Sequence, residues 1–194
     1  MRRAGVVRRA VPLVLLVALL VASCRGSSDA SPRFRQSRNK DAVAGTCGIR
    51  ASTVSRESAQ GPEVSLVQTA NVSRDACTDD VRFEFASGDI DLPPRYVAGY
   101  QAGPFIDFNQ DVPASPGGTV FLVIRFEKTT SSYLGRSTYR SRESIEPGGM
   151  HHLQDVRMVR APDNSVEFVI GLDQQRPFIV DGAPTPPHVL VRIA

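Results

Sequence analysis

No stretch of this sequence sustains a 3.6-residue apolar period, which argues against long amphipathic helices. No uncharged apolar run reaches the roughly 20 residues that a helix needs to span a bilayer. The run from Val11 to Ala22 has only 12 residues. The 194 residues hold three His and three Cys, with no Cys-x-x-Cys spacing and no Cys beside a His. That leaves a thiol nucleophile or a Cys-based metal centre without support. There is no Gly-x-Ser-x-Gly elbow, and no Gly-rich loop follows a strand to open a phosphate-binding helix. No cofactor and no metal site is expected. Excess positive charge is also missing once the charges are located. The formal charge of +3 and the sequence pI near 9.0 suggest a nucleic-acid partner. Yet Arg2, Arg3, Arg8 and Arg9 all precede the apolar run, and after Ser23 there are 19 basic residues against 20 acidic ones. The basic pI belongs to the leader, and no nucleic-acid partner is expected.

What the sequence does have begins with that leader. A positive segment, MRRAGVVRRA, is followed by the uncharged run and then by Val21-Ala22-Ser23-Cys24. Such a leader reads as a signal peptide over residues 1–23. Val21 to Cys24 resembles the lipobox of bacterial lipoproteins, an aliphatic residue and two small ones before Cys. The resemblance implies that Cys24 becomes a lipidated N-terminus, a membrane anchor outside the cytoplasm. Residues 24–46 contain five Lys/Arg against two Asp and few apolar residues without period. They read as a flexible tether, too poor in apolar side chains to fold.

Residues 47–194 carry a net charge of −4 and an apolar pattern of period two. Val81, Phe83 and Phe85 alternate with Arg82 and Glu84; Val189, Val191 and Ile193 alternate with His188 and Arg192. Similar runs lie at 64–70, 96–100, 156–158, 166–170 and 178–180. Val120 to Phe126 is nearly all apolar, the signature of a central strand covered on both faces. Gly/Pro turns separate the runs, among them Pro116-Gly117-Gly118 and Pro184-Thr185-Pro186-Pro187. The expected fold is all-β, an antiparallel β-sandwich, with a short helical turn near 141–145. If Cys24 is lipidated, Cys47 and Cys77 form an even pair, and a disulfide between them is expected.

Candidate chemistry is sparse. Neighbours on a strand point to opposite faces, so His151 and His152 read as a polar loop entering the strand at Leu153 rather than as a metal pair. The carboxylate pairs Asp79-Asp80 and Asp89/Asp91 flank turns, where Asp commonly serves backbone N–H groups. Sequence separation does not report the distance between carboxylates, so a hydrolase using loop carboxylates stays open as an alternative. Two groups of aromatic residues form a candidate binding surface. Tyr96 and Tyr100 lie in a Pro- and Gly-rich stretch; Tyr133 and Tyr139 lie among Arg136 and Arg140. Either they fill core and loop bases, or they stack on sugar rings and pair with acidic groups.

The C-terminal third supplies a family. Gly171-Leu172-Asp173-Gln174-Gln175-Arg176-Pro177-Phe178, followed by the strand Pro187 to Ile193, resembles the ending of the AMIN-like domain family of actinobacterial lipoproteins. Asp79 to Phe85 is similar to that family's early strand, and the likeness covers roughly residues 62–194. It implies a β-sandwich without catalytic residues that binds peptidoglycan or an envelope protein. Gly171, Leu172, Asp173, Arg176, Pro177 and Phe178 are expected to serve the fold. A cryptic envelope hydrolase and a plain structural spacer stand as alternatives.

Overall fold

The computed structural model describes residues 50–87, 92–162 and 164–194. The chain divides into two units, Met1–Pro32 and Arg33–Ala194, and all described residues lie in the second. The leader, Cys24, the tether, Cys47, Asp89 and Asp91 lie outside the described residues.

The described residues contain strands and turns and no helix. In chain order the strands are β1 (Arg56–Ser58), β2 (Ser65–Arg74), β3 (Asp79–Ser87), β4 (Tyr96–Gln101), β5 (Phe105–Ile106), β6 (Pro113–Ala114), β7 (Val120–Glu127), β8 (Thr129–Thr130), β9 (Ser132–Tyr133), β10 (Arg136–Ser137), β11 (Ser144–Ile145), β12 (Leu153–Val159), β13 (Ser165–Leu172), β14 (Phe178–Pro184) and β15 (Pro187–Ile193). They form a six-stranded sheet, β1-β4-β7-β13-β12-β11, and a five-stranded sheet, β14-β15-β3-β2-β8, plus two small ribbons, β5-β6 and β9-β10. Pairing is antiparallel except for the short contact of β2 with β8.

The alternating side chains explain the layering. From the five-stranded sheet, Val81, Phe83, Phe85, Val189, Val191 and Ile193 point inward; from the other come Leu122, Ile124, Phe126, Val166, Phe168 and Ile170. Phe83 lies with its ring centroid 4.7 Å from that of Phe168 and 5.1 Å from that of Phe126, which joins the two sheets at the centre. Burying one such side chain is worth about 1.5–3 kcal/mol.

The expected coverage of β7 on both faces is present. Leu122, Ile124 and Phe126 face the main core, while Val123 joins Val169, Val159 and Phe105 in a second cluster, with Phe121 packed against it. Phe105 belongs to the β5–β6 ribbon, so that ribbon helps cover the outer face of the larger sheet. This is why Val169 interrupts the polar side of β13.

Residues 141–145 do not form the expected helical turn. Ser144–Ile145 pair antiparallel with Val156 and Arg157 as strand β11, closing the edge of the larger sheet. Just upstream, residues 138–141 follow the edge of β2. Arg140 N donates to Gln68 O at 2.8 Å, and Ser141 Oγ accepts from Ala70 N and donates to Ala70 O. An open sheet edge templates unwanted pairing, and this strap occupies part of it.

Candidate functional site

The family-like segment Gly171 to Phe178 closes a corner of the sandwich. Gly171 meets the Pro116-Gly117-Gly118 turn so closely that a Cβ on it would sit 1.7 Å from Gly117 O. Gly118 has φ +103°, and a Cβ there would lie 2.7 Å from Leu172 N. Only glycine fits these positions. The turn is held by Asp155, whose buried carboxylate accepts from Gly117 N, Ser144 Oγ and Arg157 Nε.

Beyond Leu172, Asp173 gathers the corner. Its carboxylate accepts from Gln174 N at 2.7 Å and Arg176 Nη2 at 3.1 Å, and lies 3.3 Å from His152 Nδ1. Burial pushes the Asp173 carboxyl up, but these bonds from Arg176, His152 and Gln174 hold it below its ordinary value. The chain then passes Pro177 to Phe178, which is fully buried and meets Tyr100 edge-on at 5.8 Å. Leu172 is buried as well. Each of the six motif residues lies in this corner, where Gly171, Leu172, Asp173, Arg176 and Phe178 have packing or hydrogen-bond duties.

Tyr96 and Tyr100 leave the candidate surface for the same reason. Tyr96 is 8% exposed and donates its hydroxyl to Val180 O at 3.2 Å. Tyr100 packs against the core, donates to Arg176 O and accepts from Arg176 N, and burial pushes its hydroxyl up to about 12. Tyr139 also turns inward, with its ring centroid 5.8 Å from that of Phe168 and its hydroxyl bonded to Arg142 O. On β4 the period that buries Ala98 turns Tyr96 and Tyr100 to the same face, and on the strap the contact with Phe168 holds Tyr139 inward.

Three candidates stay outside. Tyr133 and Arg136 are paired across the β9–β10 hairpin and are exposed; Arg140 lies on the strap, exposed, with Nη2 on Gln68 Oε1. The hairpin turn is Leu134-Gly135, with φ +49° and +75°. Positive φ at both turn positions suits the twist of a two-residue hairpin.

Near the base of this hairpin is a groove that the sequence alone does not disclose. Glu63, Val64, Lys128, Thr129, Thr130 and Asn164 line about 350 Å³. Val64 is 60% exposed and contributes apolar wall. Lys128, in the left-handed region at φ +49°, pairs with Glu63 at 2.5 Å, and this bond holds the Glu63 carboxyl below its ordinary value. Beside the groove, the hydroxyl of Ser65 is buried with no hydrogen-bond partner among the described residues. The signal for the groove is three-dimensional: its walls come from residues 63–64, 128–130 and 164, brought together by β2–β8 pairing and by the Asn164 carbonyl, which accepts from Thr129 N.

Of the carboxylates weighed for hydrolysis, Asp79 and Asp80 have structural partners, and Glu167 is a further buried carboxylate. Asp79 is fully buried, and its carboxylate accepts from the backbone N–H groups of His151, His152 and Leu153 at 2.9, 2.6 and 2.9 Å. His151 and His152 thus enter β12 as a loop held by its amides. Asp80 accepts from Thr78 Oγ1. Glu167 is buried in β13 opposite Arg125; burial pushes its carboxyl up and Arg125 pulls the other way, and it is not among the groove residues. Among the described residues, no three His, Cys, Asp or Glu side chains come together as a metal site.

Comparison with curated proteins and with solved structures finds no match. The family model of the AMIN-like domain, by contrast, matches residues 65–194, which takes in β2 to β15, the motif corner and the hairpin. The chain therefore belongs to the AMIN-like domain family.

Proposed function

We propose that this protein is an extracytoplasmic lipoprotein, anchored through Cys24, whose AMIN-like domain binds peptidoglycan or a wall-associated envelope protein without chemistry of its own. Membership of the AMIN-like family over residues 65–194 carries the proposal. The leader and its terminal Cys24 supply the address, and residues 24–46 the tether. We assign Cys47 and Cys77 as a disulfide pair, tying the start of the domain to the turn before β3.

The groove beside β8 is the site assigned to the wall ligand. Its apolar wall at Val64 suits the face of a sugar ring or a short side chain. Lys128 and Glu63 offer a cation and an anion to a peptide stem that carries both, and exposed ion pairs give up their partner at little cost. Incubation of the purified protein with isolated sacculi tests this. The wild-type chain is expected to pellet with sacculi, and Lys128→Glu combined with Val64→Asp to lower the retained fraction roughly tenfold, equal to about 1.4 kcal/mol. A chain that neither pellets with sacculi nor cross-links to a wall-associated protein overturns the assignment. Mass spectrometry of the membrane fraction checks the anchor through the diacylglycerol adduct on Cys24.

A further inference from the structure

The β9–β10 hairpin has a composition that neither the sandwich nor the groove requires. Leu134, at its tip, is 84% exposed and Tyr133 is 60% exposed, and neither contributes to the two apolar clusters of the domain. At φ +49° a Leu is sterically disfavoured, and Asn or Gly meets that angle more readily. Folding alone does not explain a large apolar side chain there.

The charge around the tip is equally one-sided. Residues 131–142 contain Arg136, Arg140 and Arg142 and no Asp or Glu, within a domain that is −4 as a whole. None of the three forms an ion pair among the described residues. The nearest acid in sequence, Glu143, accepts from Asn109, and Lys128 at the hairpin base is matched by Glu63. The hairpin follows β8, on the edge of the five-stranded sheet opposite β14.

An apolar tip, an aromatic residue beside it and an uncompensated set of Arg together match a bilayer interface. Leu enters the acyl boundary, Tyr sits at headgroup depth, and Arg pairs in a planar fork with phosphate while its stem stays apolar. We propose that the β9–β10 hairpin docks on an anionic lipid bilayer, with Tyr133 and Leu134 inserted and Arg136, Arg140 and Arg142 on the lipid phosphates. Two apolar side chains bind a bilayer weakly alone. The contact therefore rests on the anchored reading of Cys24, because a tethered domain meets its own membrane at a high effective concentration. The hairpin turns a domain hanging on a tether into one oriented against the surface.

The absence of Trp from the chain gives a direct test. Tyr133→Trp places the sole Trp at the hairpin; a second protein with Thr185→Trp, in the turn joining β14 to β15 on the opposite sheet edge, is the control. Mature protein isolated from the producing cells is mixed with phosphatidylglycerol or with phosphatidylcholine vesicles, each with and without brominated acyl chains. The reporter at 133 is expected to be quenched roughly twofold in the anionic vesicles, as an interfacial side chain in reach of acyl bromine, and the control not at all. Each Arg→Gln change at 136, 140 or 142 is expected to weaken the anionic preference about fivefold. Leu134→Asn, which fits the turn, is expected to keep the fold and abolish the quenching. Protein retained on neutral vesicles while position 133 stays as unquenched as position 185 in anionic ones overturns the hairpin and leaves the anchor standing. Retention on anionic vesicles alone, with quenching at 133, supports the hairpin and removes the anchor. Retention on neither removes both.

Discussion

At the scale of single residues, the closest fit in the domain is backbone against backbone at Gly171. The Gly117 carbonyl occupies the place of a side chain on β13, and Thr119 N then donates to Leu172 O at 2.8 Å. A methyl group at 1.7 Å from an oxygen cannot be absorbed by a rotamer change, so either the turn lifts or the strand bends. Gly171→Ala is expected to cost about 3 kcal/mol, read as a lower urea midpoint with an unchanged m-value. An Ala variant as stable as the parent would mean that the 116–118 turn does not lie on β13. The same motif shows what can be read from a sequence. Gly171, Asp173 and Phe178 announce themselves as a set, and a structural duty for them is legible. Their partners are not, because Gly117, Tyr100 and His152 approach Gly171, Phe178 and Asp173 from 54, 78 and 21 residues away in sequence.

At the scale of elements, Asp79 is a link between the sheets beyond hydrophobic contact, as is the Tyr96 hydroxyl on Val180 O. Asp79 begins β3, in the five-stranded sheet, yet its carboxylate holds the N–H groups of residues 151–153, which lead into β12 of the other sheet. A buried carboxylate with three N–H partners replaces water for all of them. Asp79→Asn leaves one acceptor oxygen and points an NH₂ group at a backbone donor. The expected loss is about 3 kcal/mol, with hydrogen exchange rising first at His151, His152 and Leu153. Protection unchanged at those three amides would refute the staple. Most of the eight long strands were legible because their burial is one-sided and their period is two, and β7 because cover on both faces makes it a continuous apolar run. Two β-bulges were not. The pairing of β2 shifts between Val67 and Thr69, and that of β12 between Leu153 and Asp155, so Val67 and Ala70 face the core together, as do Leu153 and Val156. Short strands such as β8 and β11 escape detection too, since two residues carry no period and owe their conformation to the edge they meet.

At the scale of the whole molecule, charge and burial are partitioned along the chain. The positive excess lies in residues 1–46, residues 47–194 are acidic, and within them the 131–142 segment is basic again. The tyrosines follow a second partition: Tyr133 is on the surface, while Tyr96, Tyr100 and Tyr139 each bond a backbone carbonyl of another segment or turn. Loss of their protons would set a phenolate against a carbonyl oxygen at the edge of the core. Burial pushes Tyr100 and Tyr139 up to about 12 and raises Tyr96 as well. In the unfolded chain a tyrosine releases its proton near pH ~10. Between that value and about 12 the unfolded state therefore holds fewer protons than the folded one, and stability falls as pH rises. Below pH ~10 this contribution is fully present. Urea midpoints measured across the window are expected to be flat up to pH ~10 and then to decline, while absorbance at the phenolate band shows Tyr100 and Tyr139 still protonated in the folded protein at pH ~11. A folded chain whose four tyrosines all ionise together near pH ~10 would place these rings outside the core. It would also reopen Tyr96, Tyr100 and Tyr139 as ligand-facing groups, which the sandwich reserves for its own cohesion.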